Sequence, residues 1–312
     1  MIKKDVKAEL TPELVESSAE HRKKEFAFIL YRLRKSPLGL LGMMIVLSFI
    51  FIGIMAPLIV PPNQPDPYKM PKTFSRLPLP PSREHPFGTT GPVNYGDVFY
   101  GVIWGTRYSL MLAFSITIIC FSVGVIVGIV AGYYGGLLDE ILMRIVDLFY
   151  SLPWLLIMLV ILIAIGKRGF WTMVTAYSIL AWPTYSRVVR GEVLRVRNEL
   201  YIEAAKAIGL TDLQIIFKHI IPNTLYTVVI MASMRLGSIV LSTSSLGFLG
   251  LGFSPGTAEW GIIISEGRNW LLQGSWWIAV FPGIFICLFV LGWQLLGDAF
   301  RDILDPKVRR RA

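Results

Sequence analysis

The stretch 108–138, YSLMLAFSITIICFSVGVIVGIVAGYYGGLL, holds no charged residue. A run of about 18 or more apolar residues is long enough to cross a bilayer as a helix. A second charge-free run, Leu38–Val60, precedes it. Of the 312 residues, 54% are hydrophobic and only 16% charged, whereas soluble domains carry about 25% charged residues. A water-soluble core cannot absorb several helices that are apolar all round. The fold class that follows is an all-α membrane protein.

Working outward from the two runs, the pattern predicts six spans: Leu38–Val60, Tyr108–Gly132, Ile141–Gly166, Phe170–Tyr185, Thr224–Leu241 and Trp276–Leu296. The layout is an N-terminal arm (1–37), a first span (38–60), an external segment (61–107), a five-helix core (108–297) and a tail (298–312). The core includes a polar loop, 186–222. The first span is preceded by charges of both signs and exceeds a signal-peptide core in length, so it reads as an uncleaved anchor. The arm, the 133–147 turn, the 186–222 loop and the tail share 21 of the 30 Lys and Arg residues, against 8 on the opposite side. The richer side is expected to be cytoplasmic, with both termini there. This clustering assigns the net charge of +9 to membrane topology rather than to nucleic acid.

Local signals add detail. Around 22–35, Phe26, Ile29, Leu30 and Leu33 interleave with basic residues, which suits either an interfacial amphipathic helix or a simple retention signal. Ten prolines between Pro61 and Pro92 favour extended, semi-rigid backbone. Gly124, Gly128 and Gly132 form a small-residue ridge for close helix approach. Pro153 and Pro183 should kink or end their helices. Segment 242–257, STSSLGFLGLGFSPGT, reads as a break at the outer end of the fifth span, with Glu259-Trp260-Gly261 following outside. Trp270, Trp276 and Trp277 fit an interfacial aromatic belt.

Catalytic chemistry is missing from the pattern. The histidines, His21, His85 and His219, are scattered, and H-E-x-x-H, G-x-S-x-G and the phosphate-loop motif do not occur. Cys120 and Cys287 lie inside apolar runs, which gives neither a disulfide framework nor a zinc pattern. Ionisable groups within spans are few. Arg235 is the one well inside, and Arg144 and Asp147 are spaced to pair on one helix face. This argues against an ion-coupled carrier.

The exception to the apolar pattern is 203–223, EAAKAIGLTDLQIIFKHIIPN. A first helical piece ends near Ile208, where Gly209 supplies a left-handed C-terminal residue. Thr211 and Gln214 have capping-box spacing, with Leu210 and Ile215 as a hydrophobic staple. A second helix is expected from Asp212 to about Ile221, stopped by Pro222. Ala204, Ala205 and Ala207 leave the backbone approachable, and Glu203 and Lys206 offer polar rim contacts. The turn reads as a rigid docking element or as a cytosolic cap on the bundle.

This stretch resembles the EAA loop of permease subunits of ATP-binding-cassette importers: Glu203, Ala204, Ala205, Gly209 and Pro222 match, with Ile221 where leucine is usual. HPFGT (85–89), the series Asp139 to Pro153, SSLGFLGLG (244–252) and LLGDAFRDILDP (295–306) resemble the C-type permease of the dipeptide/oligopeptide/nickel branch. In place of the D-x-x-G-R-D usual after HPFGT, this chain has TGPVNYGD, keeping Gly96 and Asp97. The resemblance implies that Glu203, Ala204, Ala205, Lys206, Ala207, Gly209, Thr211, Asp212 and Pro222 dock on a cytosolic ATPase. It further implies two ATPase subunits that carry ATP and Mg, a second homologous permease and an external solute-binding protein. No cofactor or metal is expected in this chain. The substrate implied is a peptide; an oligosaccharide or nickel, or a stand-alone channel or carrier, are the alternatives.

Overall fold

The computed structural model describes residues 35–62, 64–72, 75, 77–91 and 96–304. The expected amphipathic helix at 22–35 lies almost entirely outside them, as does residue 92–95 of the altered outer motif. Among the described residues the secondary structure is helical, with three isolated β-bridges.

Helix α1 is Pro37–Ile59; Ser36 caps it, accepting from the Gly39 N–H at 3.1 Å, and Pro37 opens its first turn. Helix α2 is Val98–Tyr134, capped by Asp97 and closed at Gly135, whose φ is +68°. Helices α3 (Gly136–Ser151) and α4 (Trp154–Ile165) follow. Helix α5 is Phe170–Arg197 and α6 is Leu200–Ala207. A short helix α7 (Asp212–Ile215) runs through a π-turn (Ile216–Ile220) into α8 (Ile221–Phe248). Helix α9 is Trp260–Gly267 and α10 is Trp277–Leu304.

Four helical stretches are each long and apolar enough to cross a membrane: α1, α2, Asp212–Phe248 and Trp277–Asp302. The expected third span is broken. Leu152 is extended ahead of Pro153, as the proline ring requires of its predecessor, and α3 and α4 meet at 92°. Taken together, that pair is a bent fifth candidate. The expected fourth span is the start of α5, which continues beyond Tyr185 to Arg197 with Pro183 inside it. It falls short in apolarity because it packs against protein: α2 makes its most extensive contact with α5. The glycine ridge is the seam. A Cβ on Gly128 would lie 2.6 Å from the Val189 Cβ, and one on Gly132 2.9 Å from the Val193 Cβ. Gly124 meets Tyr185 in the same way, so both helices contribute at four-residue spacing.

Charges near that seam correct another expectation. Asp147 pairs with Arg187 of α5, at 2.5 Å, rather than with Arg144. Asp139 takes Arg190 in a bidentate grip, at 2.5 and 2.6 Å. A partner on the neighbouring helix wins because α3 and α5 lie side by side there and present carboxylates to guanidinium forks.

The other end is closed by an aromatic cap. Tyr100, Trp104, Ala258, Ile263, Trp277 and Ile278 form a second buried cluster. The described residues between 61 and 91 dock on it: Met70 N–H donates to Gly256 O at 2.9 Å, and Ala258 N–H to Tyr68 O at 2.7 Å. His85 Nδ1 lies 2.6 Å from Asp97 Oδ2, while Asp97 Oδ1 accepts from the Tyr100 N–H at 2.8 Å. Trp277 is buried with its indole N–H on Thr89 O at 3.2 Å, so it anchors the outer segment rather than facing a lipid interface. Residues 242–248 are helical; the irregular segment starts at Leu249. Glu259 and Trp260 are buried, because α9 folds back onto α8 and α10. Glu259 caps α9 through Ile262 N–H at 2.9 Å and accepts from the Ser244 hydroxyl at 2.8 Å.

Candidate functional site

The polar hairpin between α5 and α8 is built from local rules. Ile202 and Ala205 point into the bundle, on one face of α6. Glu203, Ala204, Lys206 and Ala207 are exposed. Ala205 is therefore a packing residue; its small side chain shares a buried cluster with Ile215 and Ile220. Helix α6 ends in a Schellman arrangement: Leu210 N–H reaches Ala205 O at 3.2 Å and Gly209 N–H reaches Lys206 O at 2.9 Å. Gly209 has φ +85° and nothing within 4 Å of a Cβ position, so backbone conformation, not space, requires the glycine.

The next helix starts with both halves of a capping box. Thr211 Oγ1 accepts from Gln214 N–H at 3.4 Å, and Gln214 Oε1 accepts from Thr211 N–H at 3.0 Å. Leu210 packs on the cluster that buries Ile215. Pro222 does not stop this helix. A proline lacks an N–H and its ring crowds the carbonyl four residues back; the π-turn at Ile216–Ile220 widens the path just ahead of it. Asn223 Nδ2 donates to His219 O at 2.7 Å, and Thr224 Oγ1 to Ile220 O at 2.9 Å, occupying carbonyls that the local distortion exposes.

Four contacts tie the hairpin and the last residue of α5 to the C-terminal end of α2. Arg197 donates to Gly132 O and Tyr133 O at 3.2 and 2.9 Å, placing a cation on the negative end of the helix. The Tyr133 hydroxyl donates to Asp212, and the Lys206 ammonium lies 5.7 Å from the Tyr133 ring centroid. Asp212 thus serves the interior of the hairpin as well as its start. The opposite side carries apolar residues with nothing over them: Ile208 is 80% exposed, Leu213 63% and Phe217 66%. Sequence reasoning passed over these three. A signal was available for two of them, since Leu213 and Phe217 each stand two residues from the buried Ile215, on the other face of the helix, whereas Ile208 lies just past the end of α6.

Of the expected site residues, Glu203, Ala204, Lys206, Ala207, Gly209, Thr211 and Asp212 come together on this one turn. Pro222 lies further along, at the foot of α8. Among the described residues no three of His, Cys, Asp and Glu gather as a metal site.

Comparison with known proteins matches residues 124–310 to the binding-protein-dependent transport system inner membrane component family, and residues 27–81 to the N-terminal TM domain of oligopeptide transport permease C. The dipeptide transport system permease protein DppC of Bacillus subtilis is 35% identical over 279 residues, 89% of this chain and 85% of that protein. The probable D,D-dipeptide transport system permease protein DdpC of Escherichia coli is 36% identical over 94% of this chain and 96% of its own length. The oligopeptide permease OppC of Bacillus subtilis is 32% identical over 89% of this chain and 88% of that protein. In fold, a chain of the inward-facing MetNI methionine ABC transporter superposes with a TM-score of 0.53 at 21% identity, over 66% of this chain and 97% of that one.

Proposed function

The chain belongs to the family of binding-protein-dependent transport system inner membrane components, and from that premise we propose that its hairpin at 203–212 is the coupling element seated in a groove of a cytosolic ATPase. The chain is a multi-pass permease subunit of an importer, working with ATPase and solute-binding partners, and the ATPase activity lies in separate subunits.

The observation that carries the docking reading is a rigid turn with two unlike sides. One side is bonded to α2 through Asp212, which accepts from the Tyr133 hydroxyl, beside Arg197 at the end of α5, which holds the same helix end. The other exposes Ile208, Leu213 and Phe217, with Glu203 and Lys206 beside them. Exposed apolar groups rimmed by charge mark an interaction surface. Docking there supports a lever: movement of the ATPase passes through the turn to α2 and α8 without being lost in a flexible loop. In the full assembly two ATPases bind ATP and Mg, a second homologous permease forms the other half of the path, and both termini and the hairpin face the cytoplasm. Nucleotide state then biases a bundle with inward-open and outward-open arrangements. The substrate is a peptide delivered by an external binding protein, in keeping with relatives named for dipeptides and oligopeptides.

The test is reconstitution in liposomes. Gly209→Val, which forces a β-branched residue into a left-handed conformation, and Glu203→Lys should leave insertion intact and lower ATP-driven uptake at least ten-fold. Leu213→Asp should lose the ATPases on co-purification. Normal uptake in the first two variants, or uptake by the purified chain alone, overturns the reading.

A further inference from the structure

Arg235 lies fourteen residues after the start of α8 and thirteen before its end. At 1.5 Å per residue it is about 20 Å from either end, in the middle of a hydrocarbon layer about 30 Å thick. An arginine at that depth stays charged and is costly to keep. Among the described residues no carboxylate forms an ion pair with it. Its guanidinium carbon instead lies 6.0 Å from the centroid of the Tyr185 ring.

The same side chain lines a cavity of about 200 Å³ together with Tyr150, Trp154, Tyr177 and Thr184. The cavity sits at the 92° corner between α3 and α4. Helix α4 begins at that wall with Trp154, and no side chain caps its first N–H groups. The positive end of a helix and a guanidinium with no carboxylate partner among the described residues therefore share one aromatic-walled space. Interrupted helices at membrane depth are tolerated where they line a cavity, and such half-helix ends are where transported anions are held. Lipid headgroups do not reach the midplane, and the space is smaller than the roughly 300 Å³ of a whole-ligand site. It suits one end of a longer molecule, with a planar anion at its tip.

We propose that Arg235 is a carboxylate-recognition point on the translocation path, receiving the C-terminal carboxylate of the peptide while the aromatic walls hold its last side chain. This rests on the reading of the chain as a peptide-importer permease. A neutral sugar would gain nothing from such a group, so the residue favours peptides over oligosaccharides.

The experiment uses the reconstituted full importer and compares uptake of one peptide with that of its C-terminal amide. For each peptide the rate in Arg235→Gln is divided by the wild-type rate, which cancels any preference of the binding protein. The ratio should fall at least ten-fold further for the free acid than for the amide, and Arg235→Lys should recover most of the acid uptake. Equal ratios for acid and amide, or identical behaviour of the Gln and Lys variants, overturn the proposal. So does dissociation of the second permease from Arg235→Gln on size exclusion, which would assign the guanidinium to an acid across the subunit interface. Absence of ATP-driven uptake in the wild type would instead remove the importer reading on which the proposal stands.

Discussion

The Tyr133 hydroxyl donates to Asp212 Oδ1 at 2.7 Å, joining residues 79 positions apart. It is the point where the end of a membrane helix meets the start of the hairpin helix. If force enters at the hairpin, this bond is one of the few routes by which it reaches α2. Tyr133→Phe removes the donor and keeps the ring under Lys206. Uptake in liposomes should fall several-fold while ATP hydrolysis by the assembled complex persists. Asp212→Asn, which keeps an acceptor for the hydroxyl, should be milder. An unchanged ratio of substrate moved to ATP consumed in Tyr133→Phe would contradict a mechanical role.

The α2–α5 seam gives a prediction about stability. A methyl group at Gly128 would lie 2.6 Å from Val189 Cβ and 2.7 Å from Ser186 O, and neither can yield without moving α5. Gly128→Ala should cost about 1–3 kcal/mol, as overpacked cores do. Thermal unfolding in detergent should show a lower midpoint. Gly191 faces open space, so Gly191→Ala provides the control and should be neutral or slightly stabilising, since alanine favours the helix by about 1 kcal/mol over glycine.

The two Asp–Arg pairs between α3 and α5 should differ in worth. In the Asp139–Arg190 pair the side chains are 16% and 33% exposed; in Asp147–Arg187 both are at least half exposed. A double-mutant cycle on the first should return a coupling of about 1 kcal/mol or more, on the second below about 1 kcal/mol and sensitive to salt. Equal couplings would show that the bidentate geometry of the first pair adds nothing.

Glu259 offers a test by pH. It is buried between α8 and α9, and burial holds its carboxyl above the usual range, opposed by the N–H groups of Gly261 and Ile262 and by the Ser244 hydroxyl. The folded state therefore binds this proton more tightly than the unfolded state. Its contribution to stability is full below the ordinary carboxylate pKa and declines as pH rises from there towards the raised value. Glu259→Gln can keep an acceptor on the helix N–H groups and should flatten that dependence. Glu259→Ala leaves buried polar groups unpaired and should cost about 1–3 kcal/mol. Unfolding midpoints measured from pH 4 to 8 check both.

The apolar runs made four of the membrane helices legible, and the glycine spacing identified the face of α2 that packs. What the sequence obscured came from partners distant in the chain. Arg187 and Arg190 made the end of α5 look like loop, because charges at such density suggest water; they are stable there because Asp147 and Asp139 of α3 come alongside. Pro153 signalled a break but not its 92° size, which depends on what the two pieces pack against. Pro222 looked like a stop, since a local rule could not anticipate a π-turn ahead of it. The burial of Glu259 and Trp260 was not legible, because it depends on a fold-back that only tertiary contacts specify. Hairpin geometry was readable in detail because caps are local chemistry. The exposure of Ile208, Leu213 and Phe217 was passed over, because apolar residues are assumed to face inward.

The π-turn at Ile216–Ile220 has a consequence for register. Such a turn holds one residue more than an α-helix covering the same path, so the helix faces before and after it keep their directions although the residue count between them is one too many for a regular helix, a mismatch of about 100°. The azimuth at which the hairpin faces away from the bundle is thus encoded in this widened turn. Regularising the segment to α-helix without removing a residue would leave every cap and every apolar group in place. It would also aim Ile208, Leu213 and Phe217 in another direction, so that a fully folded chain would present its docking face where no partner waits.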